Sequence, residues 1–186
     1  VTEPMRLNYL NKEDARALIE KPILFVNKQV KEESRFIGNA IEKIIDYTAG
    51  NPYYIQIFCD RLVSYLNDKK SIRATIVSVN EVAQSLIKGK DALTEKEFDN
   101  LLTAGDADLE ANPVEYTFEV LKNIAEASEN LGSCTKQAIV ERLDDDRIIE
   151  KLDEILKDLH RRQVITSNEG YFRIQVQLFH KWLINR

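Results

Sequence analysis

Apolar residues recur along this chain at helical rather than alternating spacing, and the pattern resolves into a series of short one-faced helices with a single hairpin near the end. A brief alternation, Met5-Arg6-Leu7-Asn8-Tyr9, reads as an extended piece. Asn11 followed by Asp14 has the form of a helix N-terminal cap, and Ala15, Leu18 and Ile19 make an apolar stripe that Pro22 should end. After a loop from about Pro22 to Glu33, residues Ile37, Ala40, Ile41, Ile44 and Ile45 hold the i, i+3, i+4, i+7, i+8 spacing of a second helix. Gly50-Asn51-Pro52 then predicts a tight corner between helices. Glycine accepts the left-handed backbone at a helix C-terminus, Asn51 caps, and Pro52 opens the next helix where its missing N–H costs nothing. That helix should run to about Asn67 and turn Ile55, Phe58, Cys59, Leu62 and Leu66 inward.

Ser71 to Val79 is rich in β-branched residues, but Asn80 stands where a cap would start a helix carrying Val82, Ala83, Leu86 and Ile87. Thr94 and Glu97 have capping-box spacing ahead of Phe98, Leu101 and Leu102. The acidic stretch that follows is poor in bulky apolar residues and reads as a linker, 105–113, between a domain over 1–104 and another over 114–186. Asn112-Pro113 should cap and start a helix through about Ser128, using Phe118, Leu121, Ile124 and Ala125. Thr135 caps the next, to about Leu143, and Asp145 or Asp146 caps a third with Ile148, Ile149, Leu152, Ile155, Leu156 and Leu159 inward. Gln163 to Ser167 and Tyr171 to Gln175 flank Asn168-Glu169-Gly170 as a β-hairpin, and a last helix carries Val176, Phe179, Trp182 and Leu183 back onto the core. Three helices, a hairpin and a closing helix describe a winged helix. The expected fold class is therefore mainly α: a helical bundle followed by a winged-helix domain, a helix-turn-helix with a β-hairpin wing.

Composition narrows the chemistry more than the fold. The 186 residues carry 26 basic and 31 acidic side chains, a net charge of −5, and 44% are hydrophobic, which suits one or two domains with cores of their own. No apolar run approaches the roughly 18 residues of a membrane span and no signal peptide opens the chain, so a cytoplasmic protein with no membrane partner is expected. A start at Val1 without methionine suggests a fragment or processed product whose chemistry lies upstream. Cys59 and Cys134 stand far apart with no CxxC or Cys/His spacing, which argues against a disulfide framework and structural zinc and for two inert thiols. There is no GxxxxGK[ST] loop, no HExxH, no GxSxG and no dinucleotide fingerprint, so no catalytic residue is assigned. His160 and His180 stand singly and read as structural or surface residues. Asp144-Asp145-Asp146 reads as helix capping rather than as a metal site, because carboxylates favour the positive end of a helix dipole.

The most informative segment is Ile44-Ile45-Asp46-Tyr47-Thr48-Ala49-Gly50-Asn51-Pro52-Tyr53-Tyr54-Ile55-Gln56. Ahead of it lies Leu7-Asn8-Tyr9-Leu10-Asn11-Lys12-Glu13-Asp14-Ala15 with Leu18, Ile19 and Pro22, and near the end come Tyr171-Phe172-Arg173-Ile174, Leu178-Phe179 and Trp182-Leu183. Together these resemble the region after the nucleotide-binding core in prokaryotic AAA+-like ATPases of the signal-transduction (STAND) type, where a helical lid with a T-G-G-N-P-Y-like segment precedes a winged helix. The resemblance covers nearly the whole chain. It implies a regulatory lid that senses ATP or ADP held by an upstream P-loop domain of the same chain, with Gly50, Asn51 and Pro52 approaching the nucleotide and the proline packing on adenine. Unpaired N–H groups at the helix start would supply positive potential, and glycine would let the ligand come close. The same corner also arises in many folds for backbone reasons alone. Ala49 departs from the family's more usual glycine, and Tyr53 stands where many AAA+ lids place an arginine that senses the γ-phosphate, which favours the STAND branch over DNA loaders.

Two rival readings accompany this one. Related loaders grip duplex DNA through the third helix and the wing, for which Arg161, Arg162 and Arg173 are the candidates here. From Arg147 to Arg162, however, five basic residues face four acidic ones, and including Asp144 to Asp146 makes the balance five to seven, a mixed surface for a phosphate backbone. The other reading is an adaptor that binds proteins, or itself, without nucleotide.

Overall fold

The computed structural model describes residues 9–26, 35–89, 92–103 and 112–186, and the chain divides into two compact units, Val1–Lys90 and Asp91–Arg186. Among the described residues it is mainly helical with one small antiparallel sheet, compatible with a helical bundle plus a hairpin wing.

The first unit contains α1 (Lys12–Val26), α2 (Ala40–Thr48), α3 (Pro52–Asp68) and α4 (Ile76–Ile87), with α1 packed on α2 and α3, and α4 packed on the same pair. Its core is built from Ile19, Ile41, Ile44, Tyr54, Phe58 and Val82, each no more than 3% exposed. The cap on α1 forms as predicted: the Asp14 N–H donates to Asn11 Oδ1 at 2.9 Å, and Asn11 Nδ2 returns to Asp14 Oδ2 at 2.8 Å. Pro22 does not end this helix, which continues to Val26. Proline removes the N–H that the Leu18 carbonyl would accept. The loss falls on the wet side of the helix, where Leu18 and Pro22 are both exposed. Ile37 lies ahead of α2 rather than on it. Its N–H donates to Ala74 O at 2.8 Å while the Ala74 N–H donates to Arg35 O at 2.8 Å, an isolated parallel bridge. The start of α4 is set by Thr75, not Asn80. Ser78 N–H donates to Thr75 Oγ1 at 3.3 Å and Thr75 N–H to Ser78 Oγ at 2.8 Å, a reciprocal cap that begins the helix five residues earlier and leaves Asn80 to accept the Tyr47 hydroxyl at 3.1 Å.

In the second unit a 3-10 turn (Glu95–Phe98) leads into α5 (Asp99–Leu102), then α6 (Val114–Ser128), β1 (Cys134–Thr135), α7 (Lys136–Val140), α8 (Asp146–Arg161), β2 (Ile165–Asn168), β3 (Tyr171–Ile174) and α9 (Gln177–Ile184). The sheet order is β1-β3-β2, all antiparallel, with Cys134 opposite Phe172 and Asn168 opposite Tyr171. The hairpin turn is Glu169-Gly170, both left-handed (φ 50° and 81°), the backbone a two-residue turn requires. Helix α6 is the hub: α7, α8, α9 and the sheet all pack on it, around Leu121, Ile124, Leu152, Leu159, Phe179 and Trp182. It starts at Val114 with Pro113, not Asn112, at the cap.

The capping box of Thr94 and Glu97 forms, with Glu97 Oε2 accepting from both Thr94 N–H and Oγ1 at 2.7 Å. The segment it opens belongs to the second unit, although the sequence places it with the first. The reason is an aromatic seat: the Phe98 ring lies 4.9 Å from both Phe179 and Trp182. Most of the predicted linker (105–111 of 105–113), the loop at 27–33 and the extended piece at 5–8 lie outside the described residues.

Candidate functional site

The corner between α2 and α3 takes two successive left-handed residues, Ala49 (φ 54°) and Gly50 (φ 75°). Leu10 lies directly against it. The Leu10 N–H donates to Gly50 O at 2.9 Å, and a Cβ on Gly50 would sit 2.6 Å from the Leu10 carbonyl oxygen. Glycine is therefore demanded twice at this position, by its backbone angle and by the close passage of another strand of main chain.

Asn51, 7% exposed, closes the other side. Its N–H donates to Thr48 O at 2.9 Å, its Oδ1 accepts from the Tyr53 and Tyr54 N–H groups at 3.0 and 3.4 Å, and its carbonyl accepts from Ile55 N–H at 2.9 Å. The Tyr9 hydroxyl is hydrogen-bonded to the Asn51 side chain. Burial pushes that phenol up to about 12, partly offset by the same hydrogen bond.

This pairing changes what the corner can bind. Pro52 has no N–H, and the next three donors of α3 are all satisfied within the chain, so the unpaired donors anticipated for a phosphate are not present here. What faces outward is the half-buried Pro52 ring and the Tyr53 side chain, 43% exposed and edge-on to Tyr54 at 5.2 Å. Such a pair presents an apolar ring and a phenol rather than a cluster of cationic or N–H donors.

The three arginines considered for nucleic acid do not form one surface set. The Arg162 side chain is 5% exposed; Nε donates to Asp158 Oδ2 at 2.7 Å, and one terminal nitrogen donates to Leu101 O at 3.1 Å and Thr103 O at 2.9 Å. Arg161 pairs with the other oxygen of Asp158 at 2.8 Å, and Arg173 is exposed on β3. Burial pulls the Asp158 carboxyl upward, but the two guanidinium groups outweigh it and hold the acid below its usual range. Asp145 caps α8 through Arg147 N–H at 2.9 Å.

His160 is exposed. His180 is 6% exposed, with Nε2 on Ala125 O at 3.0 Å and Nδ1 buried without a partner. Burial lowers its pKa. Both thiols are pushed up to about 11 by burial, which keeps them protonated and unreactive near neutrality. Among the described residues no cluster of three or more His, Cys, Asp or Glu side chains could hold a metal ion, and no helix is long and apolar enough to cross a membrane.

Sequence reasoning missed Tyr9 and Leu10 as parts of the corner and Tyr53 as its outward face. No local pattern joins Leu10 to Gly50; the demand for glycine at the corner was the only hint that something passes close. Compared with known proteins, the chain matches no family model, no curated protein and no solved structure.

Proposed function

We propose that this chain is the regulatory part of an ATP-binding AAA+/STAND-type ATPase, comprising a helical lid and a winged helix. The lid senses the adenine nucleotide held by an upstream P-loop domain, and the winged helix makes intramolecular or protein contacts. The observation that carries the reading is the corner at Gly50-Asn51-Pro52. The Leu10 backbone and the Asn51 side chain fix it from within, so that Pro52 and Tyr53 stand on its outer side as a preformed apolar platform.

The fit to ATP or ADP is through the base. With the first-turn N–H groups paired, Pro52 and Tyr53 would rest on adenine, and phosphate recognition falls to the P-loop domain. A contact made only when the nucleotide is held in one arrangement shifts the population of lid positions by its differential energy, which is how a lid without catalytic groups can report nucleotide state.

The test is nucleotide affinity in the full-length protein. Pro52→Ala should weaken ADP binding by about three- to tenfold, the size of losing one apolar stacking partner. An unchanged dissociation constant defeats the contact. Residues 1–186 alone should show no ATP turnover.

A further inference from the structure

The segment 92–103 behaves in the fold as a bound peptide rather than as part of a helical framework. It consists of one 3-10 turn and a four-residue helix, too short to persist in water without something to dock on. Its buried side chains are Leu93 and, at i, i+3 and i+4, Phe98, Leu101 and Leu102, while Glu95, Lys96, Asp99 and Asn100 face solvent. Both ends are held through main-chain carbonyls by side chains of the rest of the unit. Trp182 Nε1 donates to Leu93 O at 2.7 Å, with Arg186 on the same oxygen at 3.2 Å. At the far end Arg162 donates to Leu101 O and Thr103 O, placing a cation at a helix C-terminus. Recognition through carbonyls reads the backbone without reading its sequence, so specificity falls to the buried apolar side chains, Leu93 and the Phe98-Leu101-Leu102 triad.

We propose that α6, α8 and α9 form a receptor groove for a short helix with Phe-x-x-Leu-Leu spacing, closed in this state by the chain's own residues 92–103. A partner protein segment of the same chemistry enters by displacing this strap. The groove supplies the Phe179 and Trp182 rings for the aromatic anchor and Arg162 for the last turn, a helix-in-groove mode of recognition. The strap is then an autoinhibitory contact, and release depends on competition at the groove. The inference stands apart from the nucleotide reading, since every residue it uses lies in the second unit.

Hydrogen exchange on the unmodified full chain is the first arm of the test. Amides of residues 98–103 should exchange at least about tenfold faster than those of α6, because the strap opens without unfolding the unit. Exchange in step with α6 overturns the proposal. In the second arm, a labelled peptide of residues 92–103 is titrated by fluorescence anisotropy. It should bind the full chain carrying Phe98→Ala at least about tenfold more tightly than the unmodified chain, and the same peptide carrying Phe98→Ala should not bind. Failure to bind a folded Phe98→Ala chain overturns the proposal. So does a Phe98→Ala chain that cannot fold, since a displaceable strap is not required for its unit.

Discussion

Two neighbouring residues at the corner should respond to substitution with opposite signs. Ala49 and Gly50 both have left-handed backbones, and a Cβ on Gly50 would meet the Leu10 carbonyl. For Gly50→Ala, the left-handed conformation costs about 1–2 kcal/mol for a residue with a Cβ. The methyl group would meet a backbone oxygen at 2.6 Å, so the Leu10 to Gly50 hydrogen bond must yield as well. That adds about 1 kcal/mol. Against this, alanine stiffens the unfolded chain and returns about 0.4–1 kcal/mol. The net expectation is a loss of about 2 kcal/mol. For Ala49→Gly the backbone cost is relieved and the unfolded-state term opposes, leaving a gain of about 0.5–1 kcal/mol. Urea unfolding followed by far-UV circular dichroism reads both; at a slope near ~2 kcal/mol/M the first variant lowers the midpoint by about 1 M. Trp182 is the one tryptophan and lies in the second unit, so its fluorescence reports that unit separately. A neutral Gly50→Ala, or an Ala49→Gly as damaging as its neighbour, would refute the account of the corner.

Two further outcomes follow from the second unit. The His180 pKa is lowered in the fold by burial, so on acidification the unfolded chain takes up its proton first. Stability of this unit is therefore fully present above the unfolded value near 6.5 and falls as pH drops from there through the lower folded value. In His180→Gln that part of the slope should vanish, and an identical pH profile would refute it. Arg162→Lys keeps the charge but loses the fork that reaches Asp158 and two carbonyls, at a cost of about 1–3 kcal/mol seen in Trp182 fluorescence. A change below ~0.5 kcal/mol would show that the buried fork contributes little.

What was legible in the sequence was mainly what is local. Asn11 with Asp14, Thr94 with Glu97, Thr135 and Asp145 all cap as read, because a cap needs only a side chain and a backbone within three residues. The hairpin was legible for the same reason, since Gly170 advertises positive φ, although the left-handed Glu169 beside it does not. The two-residue β1 was not, because its pairing partner β3 is distant in sequence and Cys134-Thr135 carries no alternation. Gln163 ends α8 in a left-handed conformation without glycine. Val164 N–H on Leu159 O at 2.9 Å and Gln163 N–H on His160 O at 3.0 Å compensate for the strain, and neither bond has a sequence signature. Arg162 looked like one of several surface charges, since only tertiary packing buries it. At the corner the residues themselves were legible. Their internal satisfaction by Leu10 and Asn51 was not, and it removes the unpaired N–H groups expected there while leaving Pro52 and Tyr53 on the outer side.

The central claim is that Pro52 and Tyr53 lie against the adenine of a bound nucleotide. Photolabelling the full-length protein with 8-azido-ATP, followed by peptide mapping, tests it most directly. The account predicts label on the peptide containing Pro52 and Tyr53, suppressed by excess ADP and lost in Pro52→Ala. Specific label confined to other peptides, with the corner unmodified at saturating nucleotide, would contradict it.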